Sequence, residues 1–139
     1  MNIYFACTIT GGREFQPVYE ALVAAFNAEG HVIPTAHLAS SGVSSEAALS
    51  PLHVYERDTA WIRACDTLIA EVSVPSHGVG YEIGYALSQG KPVLCLCREG
   101  RGLSKMISGN PDPALQLSFY SATDEAVRSA LEYLARLSL

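Results

Sequence analysis

The stretch TLIAEVSVPSHGVGYEIGYALSQGKPVLCLC, residues 67–97, decides the fold. It predicts a buried strand over residues 67–74, a helix over about residues 78–89 that ends at Gly90, and then a second buried strand. Two apolar strands joined by a helix are typical of a parallel β-α-β unit. The stretch also places a carboxylate, Glu82, among glycines and apolar residues near the start of the helix, where a charge without a use is costly.

The alternation of strands and helices continues on both sides of this unit. Further strands are predicted at 2–8, at 31–38 (near a sheet edge, because of Pro34) and at 115–120. Further helices are predicted at 17–29, at 51–65 after an N-cap at Ser50, and at 123–137 with Thr123 as the cap.

Five strands that alternate with helices predict an α/β fold: a doubly wound, five-stranded parallel sheet with helices on both faces. For one domain over residues 1–139, the flavodoxin-like strand order 2-1-3-4-5 is the natural choice. Ligands bind such sheets beyond the carboxyl ends of the first and third strands, where the strand order reverses. The fold therefore predicts a binding site between the loops at 8–14 and 72–80.

The composition limits the class of partner. The 139 residues are 49% hydrophobic and 17% charged, which is typical of a compact globular protein. A net charge of −5 without a basic cluster argues against a nucleic-acid polymer or an anionic membrane and favours a small molecule. Because there is no long apolar run, and no signal peptide before the strand at 2–8, we expect a cytoplasmic protein.

Cysteine and histidine spacing predicts neither a metal site nor a cofactor. Cys95 and Cys97 are one residue short of a C-x-x-C pair, and the other two cysteines, Cys7 and Cys65, fit small buried side chains in a reducing compartment. The four histidines lack metal-ligand spacing.

Two generic nucleotide motifs fail at the glycine-rich turn. GVGYEIG has one residue too many for the dinucleotide fingerprint and follows the wrong strand, and GYALSQGKP lacks the Walker spacing. Ser76 and the backbone amides around Gly78 to Gly80 still lie at a helix N-terminus, which favours an anion. A glycine turn that merely starts a helix explains this pattern equally well.

Two acidic residues fall on apolar helix faces. Glu82 lies on the stripe formed by Val79 and Ile83, and Asp58 lies between Val54 and Trp61 at helical spacing. One such acid is typical of a rim residue with its carboxylate in water. Two of them, on helices that flank the switch-point strands, favour a paired-carboxylate site. In such a pair one carboxylate attacks, and the other, held protonated by burial, gives a proton to the leaving group.

Three segments carry a family resemblance. IYFACTITGGRE at 3–14, YERDTAWIRACDTLIAEVSVPSHGVGYEIGYALSQGKPVLCLCR at 55–98 and GRGLSKMI at 100–107 resemble the nucleoside 2-deoxyribosyltransferase superfamily. Within it they are most similar to the 2′-deoxynucleoside 5′-monophosphate N-hydrolase branch, through P-S-x-G-V-G-Y-E-x-G, Y-F…GGRE and D-x-x-W. The resemblance covers nearly the whole chain and constrains residues 36–50 least.

The resemblance implies a doubly wound fold and a retaining N-glycosidase. It assigns Glu82 as the nucleophile that forms a 2-deoxyribosyl-enzyme intermediate, Asp58 as the acid that assists departure of the base, and Tyr4 as the residue that orients the nucleophile or the sugar. It also implies a homodimer in which one substrate-binding residue, Ser104, reaches the neighbouring subunit's site. The substrate-binding residues that it implies are Thr8, Ile9, Thr10, Arg13, Ser76, Gly78, Gly80 and Ser104.

One position departs from the branch, and other functions stay open. Thr10 stands where relatives carry arginine within S-I-R-G-G-R, so a neutral hydroxyl replaces a charge-assisted phosphate contact, while Arg13 fits a solvated loop residue. A transferase would pass the sugar to a second base, but the acidic side chain expected near Ser76 is missing. A ribonucleotide N-hydrolase of the CMP type is also open. A non-catalytic nucleotide sensor would have no use for Asp58 and Glu82 together.

Overall fold

Four parallel strands form the sheet in the computed structural model, which describes residues 1–39 and 43–139. They lie side by side in the order β1-β2-β3-β4, and Leu68, for example, is opposite Val93. The strands are β1 (Ile3–Ala6), β2 (Thr67–Glu71), β3 (Val93–Arg98) and β4 (Leu115–Tyr120). The predicted parallel α/β architecture is therefore confirmed, but with four strands among the described residues rather than five.

The helices lie on both faces of the sheet, as the doubly wound fold requires. On one face, α1 and α5 share a core with alternate residues of the strands, and on the other face α2 and α3 do the same. The helices are α1 (Gln16–Ala28), α2 (Pro51–Ala64), α3 (His77–Ser88), α4 (Lys105–Ser108) and α5 (Thr123–Leu137), with 3₁₀ helices at Ala36–Ala39 and Val43–Ala48. Within the described part of the chain, no helix is long and apolar enough to cross a bilayer.

The strand predicted at 31–38 is wrong. Only Val32 pairs with the sheet, in a parallel bridge to Asn2. Pro34 has no backbone N–H with which to continue the hydrogen-bond ladder. The Thr35 side chain makes hydrogen bonds with β1 instead. Its hydroxyl accepts from the Phe5 N–H at 3.1 Å and donates to the Phe5 carbonyl at 2.7 Å, so the backbone of Phe5 on the outer side of β1, away from β2, is satisfied without a further strand.

Helix capping was predicted correctly at one helix and wrongly at another. Ser50 is the N-cap of α2, and its hydroxyl accepts from the His53 N–H at 3.1 Å, as predicted. Thr123 is instead the first helical residue of α5, whose N-cap is Ala122. Alanine has no side-chain acceptor for a cap, and the Glu125 carboxylate instead accepts from the N–H of Ser121, the residue before the N-cap, at 2.9 Å.

The pleat of β1 sets the direction of Tyr4. Ile3 and Phe5 join the core under α1 and α5, whereas Tyr4 and Ala6 join the core under α2 and α3. Because the helices after β1 and β2 lie on opposite faces, a crevice opens beyond the carboxyl ends of these two strands. The tyrosine therefore lies below this crevice, on the side of α3.

Candidate active site

A cavity of about 180 Å³ lies in this crevice. The end of β1 and the loop after it form one wall, and α2 and the amino end of α3 form the others. The predicted site residues that line it are Tyr4, Ile9, Thr10, Asp58, Ser76, Gly78 and Glu82. The structure thus brings the two predicted carboxylates together at the predicted edge of the sheet.

Glu82 is held by its helix and by Tyr4. It lies in the second turn of α3, between the buried Val79 and Ile83, so its carboxylate points along the apolar face toward the sheet. Tyr4 lines the cavity beside it, and hydrogen bonding from the Tyr4 hydroxyl favours the ionised form of this carboxylate. Burial raises the pKa of Glu82 to about 7, with a further increase from the charge of Asp58, while the Tyr4 hydrogen bond opposes the rise.

Tyr4 stays a proton donor in this setting. Burial raises the pKa of its phenol, and the adjacent charge of Glu82 raises it further. The phenol therefore remains neutral at physiological pH and keeps its proton for the Glu82 carboxylate. A phenol donates a stronger hydrogen bond to a carboxylate than to the protonated acid, so it stabilises the ionised form that a nucleophilic carboxylate requires.

Asp58 is in an ion pair rather than in an apolar pocket. The Arg57 Nε donates to its Oδ1 at 2.8 Å, and the two side chains are 16% and 17% exposed. The sequence predicts that burial keeps one acid of the pair protonated, and the resemblance gives the role of proton donor to Asp58. In the structure, burial instead raises the pKa of Glu82, and Asp58 has a cation beside it. The reason is local: Glu82 lies between apolar residues of α3, and Asp58 follows an arginine.

Glu46 and Arg57 also line the cavity, and the sequence analysis missed both. Arg57 donates to both carboxylate oxygens of Glu46, at 2.8 and 3.1 Å, and its guanidinium lies 4.8 Å from the centre of the Trp61 ring. Hydrogen bonding by Arg57 holds the pKa of Glu46 below its ordinary value. Glu46 falls in the least constrained segment and carried no signal, but the spacing of Arg57 and Trp61 by four residues did indicate a shared helix face.

The opposite end of the cavity is the start of α3. Ser76 is the N-cap, and its hydroxyl accepts from the Val79 N–H at 3.3 Å. The remaining amides of the first turn, around Gly78, are near the cavity and favour an anion there. Ile9 and Thr10, from the loop after β1, line the same cavity.

Thr8 and Arg13, two predicted substrate-binding residues of that loop, do not line the cavity. Thr8 is buried beneath Gly11, where an added Cβ would lie 2.8 Å from the Thr8 Cγ2, so both residues serve close packing of the turn. The next residue, Gly12, has a φ of +91°, a conformation that favours glycine. Arg13 is exposed, in keeping with the solvated loop residue expected at this position.

Ser104 and Gly80 line a neighbouring groove of about 580 Å³ between α3 and the segment around α4. Ser76 lines both the groove and the cavity, so the two meet at the amino end of α3. Ser104 is the exposed N-cap of α4, and its hydroxyl accepts from the Met106 N–H at 3.2 Å. Within one subunit, Ser104 is therefore not part of the cavity that holds Glu82.

The described residues offer no obvious metal site. In residues 1–39 and 43–139, no three His, Cys, Asp or Glu side chains are grouped as metal ligands would be. The charged and phenolic groups that line this cavity are three carboxylates (Glu46, Asp58 and Glu82), one arginine and one tyrosine.

Comparisons with known proteins point to one family. A family model described as Nucleoside 2-deoxyribosyltransferase matches residues 3–128. The 5-hydroxymethyl-dUMP N-hydrolase of Mus musculus is 41% identical over 135 residues, which cover 94% of this chain and 77% of the mouse protein. The protein of the same name from Danio rerio is 36% identical over 143 residues and covers 99% of each chain.

A solved structure shares the fold. The Clostridium botulinum CMP N-glycosidase BcmB superimposes with a TM-score of 0.74 at 22% identity, covering 96% of this chain and 99% of the other. This likeness concerns the course of the backbone, and it accords with the parallel α/β sheet described above.

Proposed function

Because the chain belongs to the nucleoside 2-deoxyribosyltransferase family, we propose that it hydrolyses the N-glycosidic bond of 2′-deoxynucleoside 5′-monophosphates. The products are the free base and 2-deoxyribose 5-phosphate. The observation that carries the proposal is that Glu82, Asp58 and Tyr4 line one cavity with the amino end of α3. The relatives that are 36% and 41% identical carry names for this reaction class.

The proposed chemistry has two steps. Glu82 attacks C1′ as a carboxylate while the C1′–N bond breaks, and Asp58 gives a proton to the departing base nitrogen. Water then attacks C1′ of the glycosyl-enzyme, loses its proton to Asp58 and releases Glu82 and the sugar phosphate. Both carboxylates also stabilise the positive charge that develops on the sugar ring in each step.

The 5′-phosphate has a place at the start of α3. The Ser76 hydroxyl and the amides around Gly78 can donate to phosphate oxygens, and Thr10 lines the same cavity. Because Thr10 is neutral, we expect a weaker preference for the phosphate than a guanidinium at this position would give. The preference should still exist, since a 5′-hydroxyl cannot use the anion-binding amides.

A substrate panel tests this proposal. Each common deoxynucleoside 5′-monophosphate, 5-hydroxymethyl-dUMP, the matching nucleosides and CMP are incubated with the protein, and free base and sugar phosphate are measured by chromatography. We expect kcat/KM to be roughly 10-fold or more higher for monophosphates than for nucleosides, because charge-assisted hydrogen bonds contribute about 1.5–3 kcal/mol. Equal rates for both, or base exchange faster than hydrolysis when a second base is added, would indicate a transferase. Equal cleavage of CMP would indicate a ribonucleotide hydrolase.

The pH dependence tests the role of Tyr4. Because the pKa of Glu82 is about 7 and the nucleophile must be ionised, kcat/KM should fall as the pH drops below about 7. Tyr4→Phe removes the hydrogen bond that favours the carboxylate, so the acid limb of the profile should move to higher pH by about 1 unit. Tyr19→Phe is the matched control, because Tyr19 is buried in the other core under α1. An unmoved acid limb in Tyr4→Phe would show that Tyr4 does not tune the nucleophile.

We also propose that the active form is a cytoplasmic homodimer of one-domain subunits. Leu103, Met106 and Ile107 lie around the short helix α4 beside the groove, and Met106 is 84% exposed. A second subunit packed there would bury these apolar side chains and bring its Ser104 toward the amino end of α3. The free thiols, three of them buried, suit a reducing compartment.

A further inference from the structure

Glu71 is a buried acid that the proposed chemistry does not use. It is the last residue of β2, is 1% exposed, and lies on the same side of the strand as Ile69, which belongs to the core under α1 and α5. It is therefore on the opposite face of the sheet from Glu82, and it does not line the cavity that holds Glu82. A carboxyl group in such a place is costly unless its hydrogen bonds are used.

One oxygen of Glu71 accepts three hydrogen bonds. The donors to Oε1 are the Ser73 N–H at 3.2 Å, the Ser73 hydroxyl, and the Tyr120 hydroxyl at 3.1 Å. The Ser73 Oγ in turn accepts from the Arg98 N–H at 2.8 Å. Glu71 and Ser73 thus join the carboxyl ends of β2, β3 and β4. The other carboxyl oxygen, Oε2, is buried without a partner among the described residues, so Glu71 acts through Oε1 alone.

Ser73 is the last hydrogen-bonded anchor of the chain before α3. Among the described residues, neither Val74 nor Pro75 makes a hydrogen bond, and the next bond along the chain is the N-cap contact of Ser76 with the Val79 N–H. The place of Ser76 beside the cavity therefore depends on Ser73 on one side and on the packing of α3 on the other.

The segment at 72–76 also supports the facing loop. Val74 packs against the core under α1, and a Cβ added at Gly11 would lie 2.7 Å from its Cγ1. The segment and the loop after β1 are therefore in close contact, and a shift of one displaces the other. Thr10, next to Gly11, lines the cavity. A displacement of Ser73 would thus move both walls of the phosphate end.

We propose that Glu71 is a positioning residue that sets the phosphate end of the active site from the opposite face of the sheet, through its hydrogen bonds to Ser73. It touches no substrate atom, and its effect reaches the phosphate through the segment at 72–76. The inference rests on the proposed function, because it concerns where the 5′-phosphate binds. Loss of the Glu71 acceptor should weaken phosphate binding and leave the chemical step at Glu82 intact.

Four variants separate positioning from packing. Glu71→Met removes the acceptor, and Ser73→Ala removes the hydroxyl that bonds to Glu71 and to the Arg98 N–H. Glu71→Gln keeps an oxygen at the Oε1 position, because three donors there orient the amide. Burial also raises the pKa of Glu71, which favours a neutral side chain at this place. Tyr120→Phe removes a donor that does not belong to the segment at 72–76.

The first measurement compares kcat/KM for a deoxynucleoside 5′-monophosphate with kcat/KM for the matching nucleoside. Glu71→Met and Ser73→Ala should each lower this ratio roughly 5-fold, the equivalent of about one hydrogen bond, through a higher KM for the monophosphate at an unchanged kcat. Glu71→Gln and Tyr120→Phe should keep the ratio. A variant that merely folds poorly loses activity toward both substrates alike, so its ratio does not fall.

Thr67→Val is the matched control. Thr67 is buried at the other end of β2, and its hydroxyl donates to the Pro92 carbonyl at 2.8 Å and is 2.8 Å from the Tyr133 hydroxyl. The variant loses a buried hydroxyl of the same strand, so it should lower the Tm but not the ratio. If Glu71→Met does not fold, Ser73→Ala carries the comparison. A ratio that falls equally in Thr67→Val, or that does not fall in Ser73→Ala, overturns the proposal.

A binding measurement separates this inference from the function. 2-Deoxyribose 5-phosphate is titrated into the empty protein, and its dissociation constant is read by NMR from the Gly78 amide signal. Glu71→Met and Ser73→Ala should raise this constant roughly 5-fold. If they do so but the unmutated protein cleaves no nucleotide, the proposed function fails and the role of Glu71 stands. If nucleotides are cleaved and neither the ratio nor the constant changes, the role of Glu71 fails alone. If the unmutated protein neither binds the sugar phosphate nor cleaves nucleotides, both fail.

Discussion

Glu82→Gln should lower kcat/KM for base release by roughly 10³-fold or more, because a neutral amide cannot replace the carboxylate that attacks C1′. The amide is nearly isosteric with the carboxylate and can still accept from Tyr4. No substitution of the phosphate-binding residues Thr10 and Ser76 should lower kcat/KM as much, because these residues bind the substrate equally before and during the reaction. The measurement is release of free base from the best nucleotide of the panel.

A stability measurement distinguishes this loss of activity from unfolding of the variant. Because the pKa of Glu82 is raised from 4.5 to about 7 in the folded protein, its stabilising contribution is present at low pH and is lost as the pH rises through about 7. At pH 8 the variant should therefore have a Tm at least as high as the unmutated protein. Glu132→Gln, an exposed change of the same charge on α5, should alter neither quantity. Near-normal base release from Glu82→Gln would contradict the covalent mechanism.

The unit at 67–97 could be predicted from sequence because every local signal there agrees. The strands are continuous apolar runs, Ser76 supplies a cap, and Gly90, with a φ of +71°, ends the helix. The conformation of the segment at 31–38 could not be predicted from sequence, because it depends on a tertiary contact. Its apolar residues favour a strand, but the Thr35 hydroxyl satisfies the Phe5 backbone and makes the strand unnecessary.

The candidate site was predictable to the extent that it rests on helix faces. Glu82 and Asp58 were found because an acid on an apolar stripe stands out at a spacing of three or four residues. The contact of Arg57 with Asp58 was not predictable, because consecutive side chains on a helix project in different directions. Glu46 reaches the cavity from a segment without regular periodicity, so only the folded chain reveals it.

A shared site across a dimer should appear as activity regained by mixing two inactive variants. In one subunit the cavity with Glu82 does not include Ser104, which lines the adjoining groove. If the neighbouring subunit's Ser104 completes the phosphate site, Ser104→Ala should reduce turnover severely, although Ser104 is exposed and its loss should leave the fold intact. Normal turnover by Ser104→Ala would already contradict a shared site.

Subunit exchange between Glu82→Gln and Ser104→Ala then decides which chain Ser104 serves. In the mixed dimer, one site combines an intact Glu82 with an intact Ser104 of the other subunit, and the second site lacks both. Random mixing makes about half of the dimers mixed, with one working site in two, so about a quarter of the unmutated activity should return. Ser108→Ala is the matched control in place of Ser104→Ala, because Ser108 is exposed on the same short helix. A mixture of Glu82→Gln and Ser108→Ala subunits should keep more than a quarter of the unmutated activity, because every site with an intact Glu82 stays active. If Ser104 serves its own chain, every site in the mixed dimer is defective and no activity returns.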